Sequence, residues 1–183
     1  VFDFNGTTEY IDLGNNDATR PTSAYTISVW AKTNGLSTGS FPAVMSSQKT
    51  SGYQGGWTLT EASSVNKWRA YIDTTGSGGW VYAESNSAII NSIWYHLVAQ
   101  WDGNTLTLYV NGVPQTTTAT TAVINYGTTA HNATIGKYFN DEFEGEITNA
   151  QIWHTDLSSS EIMQLYNNGQ PLMTGTQPQA ANL

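Results

Sequence analysis

The chain has 183 residues, a formal net charge of −8, 11% charged residues and no cysteine. This length fits one domain with a sizeable core, and the lack of cysteine excludes disulfides and thiol chemistry. Only six residues are basic, so there is no basic stripe for a phosphate backbone and we expect no nucleic-acid partner. The negative charge also argues against anionic membranes, and no apolar run approaches the ~20 residues of a membrane helix.

The first half of the chain predicts short strands separated by Ser, Asn, Thr and Gly. The first two are predicted to pair as a hairpin and the last three to form an antiparallel meander. The predicted strands are residues 1–6, 9–13, 25–32, 43–46, 57–61, 67–73 and 80–84.

A second hairpin is the most regular pattern in the sequence. Its two apolar strands are joined by Asp102-Gly103 and followed by Asn111-Gly112, and both dipeptides favour type I′ turns with positive φ at both residues. Further strands are predicted near 133–136 and over 143–153. About eleven short strands without a βαβ pattern indicate a two-sheet antiparallel sandwich.

One short helix is predicted near the C-terminus. Ser158 and Glu161 form a capping box, in which each side chain meets the other residue's backbone N–H. Ile162 begins an apolar stripe, and Gly169 is the expected residue just after the helix. Residues 170–183 are rich in Gln, Pro, Thr and Ala and are interpreted as a linker towards another domain.

Five motifs of the chain resemble those of laminin-G-like (concanavalin-A-like) jelly-roll domains, in the same order. The run Trp94-Tyr95-His96 to Asn111-Gly112 is similar to the family's W-Y-H-V-A…D-G…L-Y-V-N-G. The resemblance implies an all-β, two-sheet jelly roll over residues 1–169 with one C-terminal helix. Members mostly bind glycans or proteins, and only some relatives are enzymes. The other four motifs are Phe2-Asp3-Phe4-Asn5-Gly6, Tyr25 to Trp30, Ile135 to Ile147, and Ile152 to Gly169.

Aromatic and histidine residues of these motifs are predicted to be structural. Trp30 and Trp94 are expected in the core, and His96 lies on a strand that is apolar on both faces. His131 and His154 are expected in loops. The three histidines share no spacing typical of a zinc site.

An acidic row, Glu142, Glu144 and Glu146, is the one pattern that suggests catalysis. Alternate residues of a strand share a face, and related jelly-roll β-glucanases carry E-x-D-x-E as nucleophile and acid. Here the segment is instead similar to the family's non-catalytic F-x-G-x-I strand near the C-terminus. We therefore expect a solvated acidic surface and no enzymatic activity.

A binding surface is predicted on the neighbouring strands 67–73 and 80–84. Alternation places Trp68, Ala70 and Ile72 inside, so the residues between them face outward. Flat aromatic rings beside planar polar groups suit the C–H faces and hydroxyls of sugar rings, although cross-strand aromatic pairs also stabilise sheets. The candidate carbohydrate-binding residues are Arg69, Tyr71, Asp73, Trp80, Tyr82 and Glu84.

A calcium site is the second candidate. Asn140, Asp141 and Glu142 lie in a segment that resembles the calcium loop of pentraxin-like family members, and Asp17 is a further possible ligand. Oxygen ligands of this kind suit Ca²⁺, which is the one cofactor that the resemblance implies.

The predicted function is that of a non-catalytic, lectin-like carbohydrate-binding module. We expect it in a larger extracellular, bacterial-surface or phage structural protein, with a glycan and the neighbouring domains of the parent protein as partners. One alternative is a structural or protein-adhesion module without sugar affinity. The other is a glycoside hydrolase or polysaccharide lyase, which would need a cleft with paired carboxylates or a His/Tyr/Arg set.

Overall fold

The computed structural model describes residues 1–35, 39–47, 55–76, 79–121, 123–127 and 131–171. Two six-stranded antiparallel sheets and one two-stranded hairpin make up its β-structure. The predicted two-sheet sandwich is therefore confirmed, together with its single α-helix near the C-terminus. Most of the tail expected at 170–183 lies outside the described residues.

The strands and the helix alternate with short connections along the chain. They are β1 (Phe2–Asn5), β2 (Ile11–Gly14), β3 (Tyr25–Thr33), β4 (Ala43–Ser47), β5 (Trp57–Ala62), β6 (Lys67–Asp73), β7 (Trp80–Glu84), β8 (Tyr95–Trp101), β9 (Thr105–Val110), β10 (Val113–Ala119), β11 (Ala133–Ile135), β12 (Lys137–Tyr138), β13 (Asp141–Glu142), β14 (Glu144–Trp153) and α1 (Ser159–Tyr166). The first sheet has the order β1-β14-β3-β8-β9-β10, and the second sheet has the order β2-β11-β4-β5-β6-β7. Strands β12 and β13 form the separate hairpin.

The core lies between the two sheets, where each strand turns its alternate side chains inward. The largest fully buried side chains are aromatic and come from both sheets. Trp68 of β6 packs with its ring centroid 5.7 Å from Tyr95 of β8 and 6.5 Å from Phe143. These cross-sheet contacts fix which face of β6 is interior and, with it, which face is exterior.

Helix α1 packs on the outer face of the first sheet. Its buried Ile162 and Leu165 join Val98, Tyr109 and Trp153 of that sheet in a second apolar cluster. The predicted capping box at Ser158 and Glu161 is present, but the helix ends two residues early because Asn167 adopts the left-handed conformation expected of Gly169. The described residues contain no helix with the length and apolar character that a membrane crossing requires.

The predicted hairpin between the first two strands is wrong. β1 pairs with β14 in the first sheet, whereas β2 pairs with β11 in the second. Asn5 accepts backbone hydrogen bonds from Thr7 and Thr8 at 3.0 Å, so the chain turns locally after β1 without bringing β2 alongside it. The residues that favour a turn are the same whether the two strands it joins pair as a hairpin or belong to different sheets.

The two dipeptide turns differ from each other. Asn111 and Gly112 both have positive φ, 54° and 76°, as the predicted type I′ turn requires. At Asp102-Gly103 only Gly103 has positive φ. Here the Asp102 carboxylate accepts the backbone N–H groups of Asn104 and Thr105, both at 2.7 Å, so a side chain closes the turn instead of a type I′ backbone.

Of the motif residues Trp30, Trp94 and His96, two are buried and one is only half-buried. Trp30 and His96 are buried as predicted, and the Ser28 hydroxyl lies 2.8 Å from His96 Nε2. Burial lowers the pKa of His96 to about 4, which keeps this ring neutral. Trp94 is only half-buried, because it lies outside the core with Lys32 5.4 Å from its ring centroid.

A buried carboxyl group interrupts the core at one end of β5. Glu61 faces Trp68 across the β5–β6 pair and is fully buried. Its Oε1 accepts a hydrogen bond from Thr33 at 3.3 Å, while Oε2 has no hydrogen-bond partner among the described residues. Burial raises the pKa of Glu61 to about 7, against the weaker lowering effect of Thr33.

Gly145 should tolerate no side chain. Its φ is +143°, and an added Cβ would lie 2.1 Å from the backbone oxygen of Lys32 on the neighbouring strand. We expect Gly145→Ala to lower the free energy of unfolding by at least about 3 kcal/mol or to prevent folding, measured by urea denaturation. Gly103→Ala is the matched control, since its φ is +94° with open space around it, and should cost about 1–2 kcal/mol. Equal losses in the two variants would contradict this account of Gly145.

Glu61→Gln should change the pH dependence of stability. Because folding raises the pKa of Glu61 from 4.5 to about 7, the folded chain retains a proton that the unfolded chain has lost. Stability therefore falls as the pH rises from about 4.5 to 7, by on the order of 3 kcal/mol in total. At pH 8 the glutamine variant should be the more stable protein, measured by thermal unfolding from pH 5 to 8.

The quantity to compare is the difference in stability between the wild-type and Glu61→Gln proteins at each pH. His96 contributes the opposite slope below its ordinary pKa of 6.5, but it is present in both chains and cancels in that difference. A stability difference that stays constant between pH 5 and 8 would contradict a buried, protonated Glu61.

Candidate functional site

The candidate site lies on the outer face of the second sheet, at β6 and β7. The register of these strands places Arg69 opposite Glu84 and Tyr71 opposite Tyr82. Trp68, Ala70 and Ile72 are buried on the other face, as the alternation predicts. We call Arg69, Tyr71, Trp80, Tyr82 and Glu84 the outer-face cluster; these are five of the six residues proposed from the sequence.

Asp73, the sixth residue, does not belong to this surface. It is opposite Trp80 in the register but fully buried. Its carboxylate accepts backbone N–H groups from Gly55 at 2.7 Å, Thr75 at 2.8 Å and Gly76 at 3.0 Å. The prediction that Asp73 faces a ligand is therefore wrong, because neighbouring turns fold over the end of β6 and use this side chain to satisfy their backbone.

Tyr71 lies at the centre of the aromatic contacts. Its ring centroid is 5.5 Å from that of Tyr82 and 6.1 Å from that of Trp80, the latter nearly edge-on at 83°. Phe41, which the sequence did not suggest, approaches the same ring edge-on at 5.9 Å. Tyr82 is 44% exposed, so its ring is the most accessible aromatic surface of the cluster.

The charged residues of the cluster bind one another. The Arg69 guanidinium donates to Glu84 Oε2 from Nε at 2.9 Å and to the Tyr71 hydroxyl from Nη1 at 3.0 Å. It also lies 4.6 Å from the Tyr82 ring centroid. Lys67, a further residue that the sequence analysis missed, donates to Glu84 Oε1 at 2.8 Å.

The pKa values reflect these bonds. The hydrogen bond from Lys67 lowers the pKa of Glu84; burial opposes this, and the hydrogen bond from Arg69 lowers the pKa further. Burial alone would lower the pKa of Arg69, but the bonds to Tyr71 and Glu84 outweigh it and raise that pKa. Burial raises the pKa of Tyr71. All three groups therefore hold their ordinary charge near neutral pH.

An open groove of about 410 Å³ runs beside the cluster, between β7 and β10. Thr116 accepts the Glu84 backbone N–H at 2.6 Å and donates to the Glu84 carbonyl at 2.9 Å. Thr118 donates to the Tyr82 carbonyl at 2.6 Å. These threonines, also missed from the sequence, occupy the backbone edge of β7. The groove is lined by Trp80, Val81, Tyr82, Glu84, Thr116 and Thr118.

The middle of this outer face, over β4 and β5, is covered. Over β5, Thr60 is buried and donates to the Pro42 carbonyl at 2.7 Å, and over β4, Ser46 donates to the Lys137 carbonyl at 2.9 Å. The segment before β4 and the β12–β13 hairpin thus close the sheet there. The β6–β7 side presents the partly exposed rings of Tyr71, Trp80 and Tyr82.

The acidic row does not form a shared site. Glu142 belongs to the β12–β13 hairpin, where its carboxylate lies 3.0 Å from Lys137 Nζ. Glu146 belongs to the first sheet and lies 2.5 Å from Lys32 Nζ, while Glu144 is exposed. The expectation that the three carboxylates project from one strand face is wrong, because the strand is interrupted at Phe143.

The proposed calcium ligands occupy two separate elements. Asn140, Asp141 and Glu142 lie at the β12–β13 hairpin, and Asp17 lies in a short 3-10 turn. The Asp141 carboxylate accepts the Phe41 backbone N–H at 2.8 Å. Across the described ranges no three His, Asp or Glu side chains form a group suited to a metal ion. Calcium binding through Asn140, Asp141, Glu142 or Asp17 stays a prediction.

Solved structures with the same fold include sugar-bound proteins. The CBM40 of the Ruminococcus gnavus IT-sialidase, bound to alpha2,3 sialyllactose, has a TM-score of 0.76 at 16% identity and covers 90% of this chain and 95% of that one. Domain 4 of AbnA, an arabinanase from Geobacillus stearothermophilus in complex with arabinotriose, has a TM-score of 0.63 at 21% identity, covering 90% and 75%.

A third similar structure is the binding domain of Botulinum neurotoxin DC in complex with SialylT. Its TM-score is 0.68 at 15% identity, and the match covers 91% of this chain and 42% of that one. At such identities these likenesses show the shared fold alone. A search of the curated proteins found no match.

The family of the chain is shown by its sequence. A model described as the concanavalin A-like lectin/glucanases superfamily matches residues 5–163. This range includes both sheets except the first residues of β1, and it reaches into α1. The chain therefore belongs to the concanavalin A-like lectin/glucanases superfamily.

Proposed function

We propose that the chain is a non-catalytic carbohydrate-binding module whose outer-face cluster contacts the sugar. The observation that carries this proposal is the 44% exposed Tyr82 ring, held beside Tyr71 and Trp80 at the mouth of an open groove. A sugar ring presents apolar C–H groups on its faces and hydroxyls at its edge, and a shallow aromatic surface with polar groups suits both.

Three further observations support this function. Proteins of the same fold have been solved bound to alpha2,3 sialyllactose and in complex with arabinotriose. The acidic residues that suggested hydrolysis are distributed over two elements, and Glu142 and Glu146 are paired with different lysines. The cluster also lies on a part of the second sheet's outer face that residues 40–42 and the β12–β13 hairpin leave open. We place the module in a larger extracellular, bacterial-surface or phage structural protein.

The first experiment is a glycan-array screen of the chain with Ca²⁺ and with a chelator. We expect selective binding to at least one class of oligosaccharide. Loss of that binding under the chelator would support the calcium prediction at the Asn140–Glu142 hairpin. No binding in either condition would contradict the proposed function and favour the alternative of a structural or protein-adhesion module.

Tyr82→Ala should weaken binding to the best array ligand by about tenfold or more, equivalent to ~1.4 kcal/mol, because it removes the most accessible ring of the cluster. Isothermal calorimetry measures the affinity and thermal unfolding confirms the fold. Tyr10→Ala is the matched control. Tyr10 is 45% exposed and lies with its ring centroid 4.5 Å from Lys137 Nζ, as Tyr82 lies beside Arg69, but it precedes β2 at the opposite edge of the second sheet.

The two tyrosine variants separate binding from sheet stabilisation. If the aromatic contacts only stabilise the β6–β7 pair, Tyr82→Ala will lower the melting temperature and leave the affinity of the folded protein unchanged. If Tyr10→Ala reduces affinity as much as Tyr82→Ala does, the sugar contacts a different surface and the assignment of the cluster is wrong.

A further inference from the structure

We infer that the outer-face cluster selects uncharged glycans and rejects sugars that carry a carboxylate, such as sialic acids and uronic acids. This inference rests on the proposed function, since it specifies the ligand class of the same surface. Some polar groups of this surface are already paired with other side chains, and the remaining groups decide which sugars can bind.

The cationic groups of the site already hold a carboxylate. Glu84 Oε1 lies 2.8 Å from Lys67 Nζ, and Glu84 Oε2 lies 2.8 Å from Arg69 Nη2 and 2.9 Å from Arg69 Nε. The remaining Arg69 nitrogen, Nη1, donates to the Tyr71 hydroxyl. Glu84 thus occupies the place that a ligand carboxylate would take, because a guanidinium edge and an ammonium group are the preferred partners of such an anion.

The polar side chains of this surface that have no partner are neutral. Among the described residues, neither the Tyr82 hydroxyl nor the Trp80 indole N–H has a hydrogen-bond partner, whereas Lys67, Arg69 and Glu84 are all engaged. A phenol and an indole N–H can donate to a sugar hydroxyl at no electrostatic cost. They offer a carboxylate hydrogen bonds but no opposite charge to offset its desolvation.

An acidic sugar would meet a penalty at this surface. A ligand carboxylate that approaches Arg69 or Lys67 comes within a few ångströms of the Glu84 carboxylate, which already offsets one of their two positive charges. The formal net charge of −8 opposes its approach as well. Every lysine in the described part of the chain is paired with a glutamate, Lys32 with Glu146 and Lys137 with Glu142 in addition to Lys67. A built-in repulsive group of this kind gives specificity by weakening the wrong partner.

The test compares neutral oligosaccharides with their acidic counterparts on the same array, for example lactose with 3′-sialyllactose and gluco-oligosaccharides with oligoglucuronates. Wild-type protein should bind only members of the neutral set. Its affinity for a neutral ligand should change less than about twofold between 50 and 500 mM NaCl, because no ion pair with the ligand is formed. Binding to the acidic set alone would overturn the inference and leave the proposed function standing, whereas no binding to either set would overturn both.

Glu84→Gln should convert the specificity. The amide keeps the shape of the side chain but releases the charges of Lys67 and Arg69, so binding to an acidic oligosaccharide should rise by about tenfold or more and weaken as salt is added. Glu146→Gln is the matched control, since it releases Lys32 on the first sheet, away from the cluster. A folded Glu84→Gln variant that gains no affinity for acidic sugars, or an equal gain in Glu146→Gln, would overturn the role assigned to Glu84.

Discussion

The register between β6 and β7 is the constraint on which the site depends. Trp68, Ala70 and Ile72 are buried between the sheets, and the residues between them therefore face outward. A slip of one residue would move the Arg69 guanidinium into the core and the Trp68 indole into water. The first change buries a charge away from its partner and the second gives up a large apolar area. The packing that stabilises the sandwich thus also holds Tyr71 opposite Tyr82 and Arg69 opposite Glu84.

The two outer faces of the sandwich are used differently. α1 covers the first sheet through Ile162 and Leu165, whereas the second sheet stays open at β6 and β7. An open edge strand beside such a surface would normally invite pairing with another chain. Here the hydroxyl groups of Thr116 and Thr118 bond to backbone groups of β7. The edge is therefore occupied by side chains, while the aromatic rings beside it remain accessible to a small or flexible ligand.

Features set by neighbouring residues could be predicted from the sequence, and features set by distant contacts could not. Alternation gave the faces of β6 and β7, and a four-residue motif gave the cap at Ser158. The outward direction of Asp73 followed from the same alternation, but its burial depends on the backbone of Gly55, which lies 18 residues away in the chain. Phe41 and the β10 threonines are brought to the site by the topology of the sheets. The periodic pattern of apolar residues along the sequence does not reveal that topology. The same limit explains why β1 and β2 resembled a hairpin.

The ion pairs of this chain affect the charge of its surface more than they affect its stability. The pairs of Lys32, Lys67 and Lys137 with glutamates are partly exposed, and such pairs each contribute at most about 1 kcal/mol to folding. Their larger effect is to place a carboxylate beside each described lysine on a chain that is already negative overall. A ligand of the outer-face cluster must then be held by ring contacts and neutral hydrogen bonds, which give modest affinity for a single shallow site. A module of this kind gains strength when several copies or neighbouring domains engage one polymer, because each further contact is then intramolecular. A repetitive neutral polysaccharide offers such contacts, and it does so independently of salt.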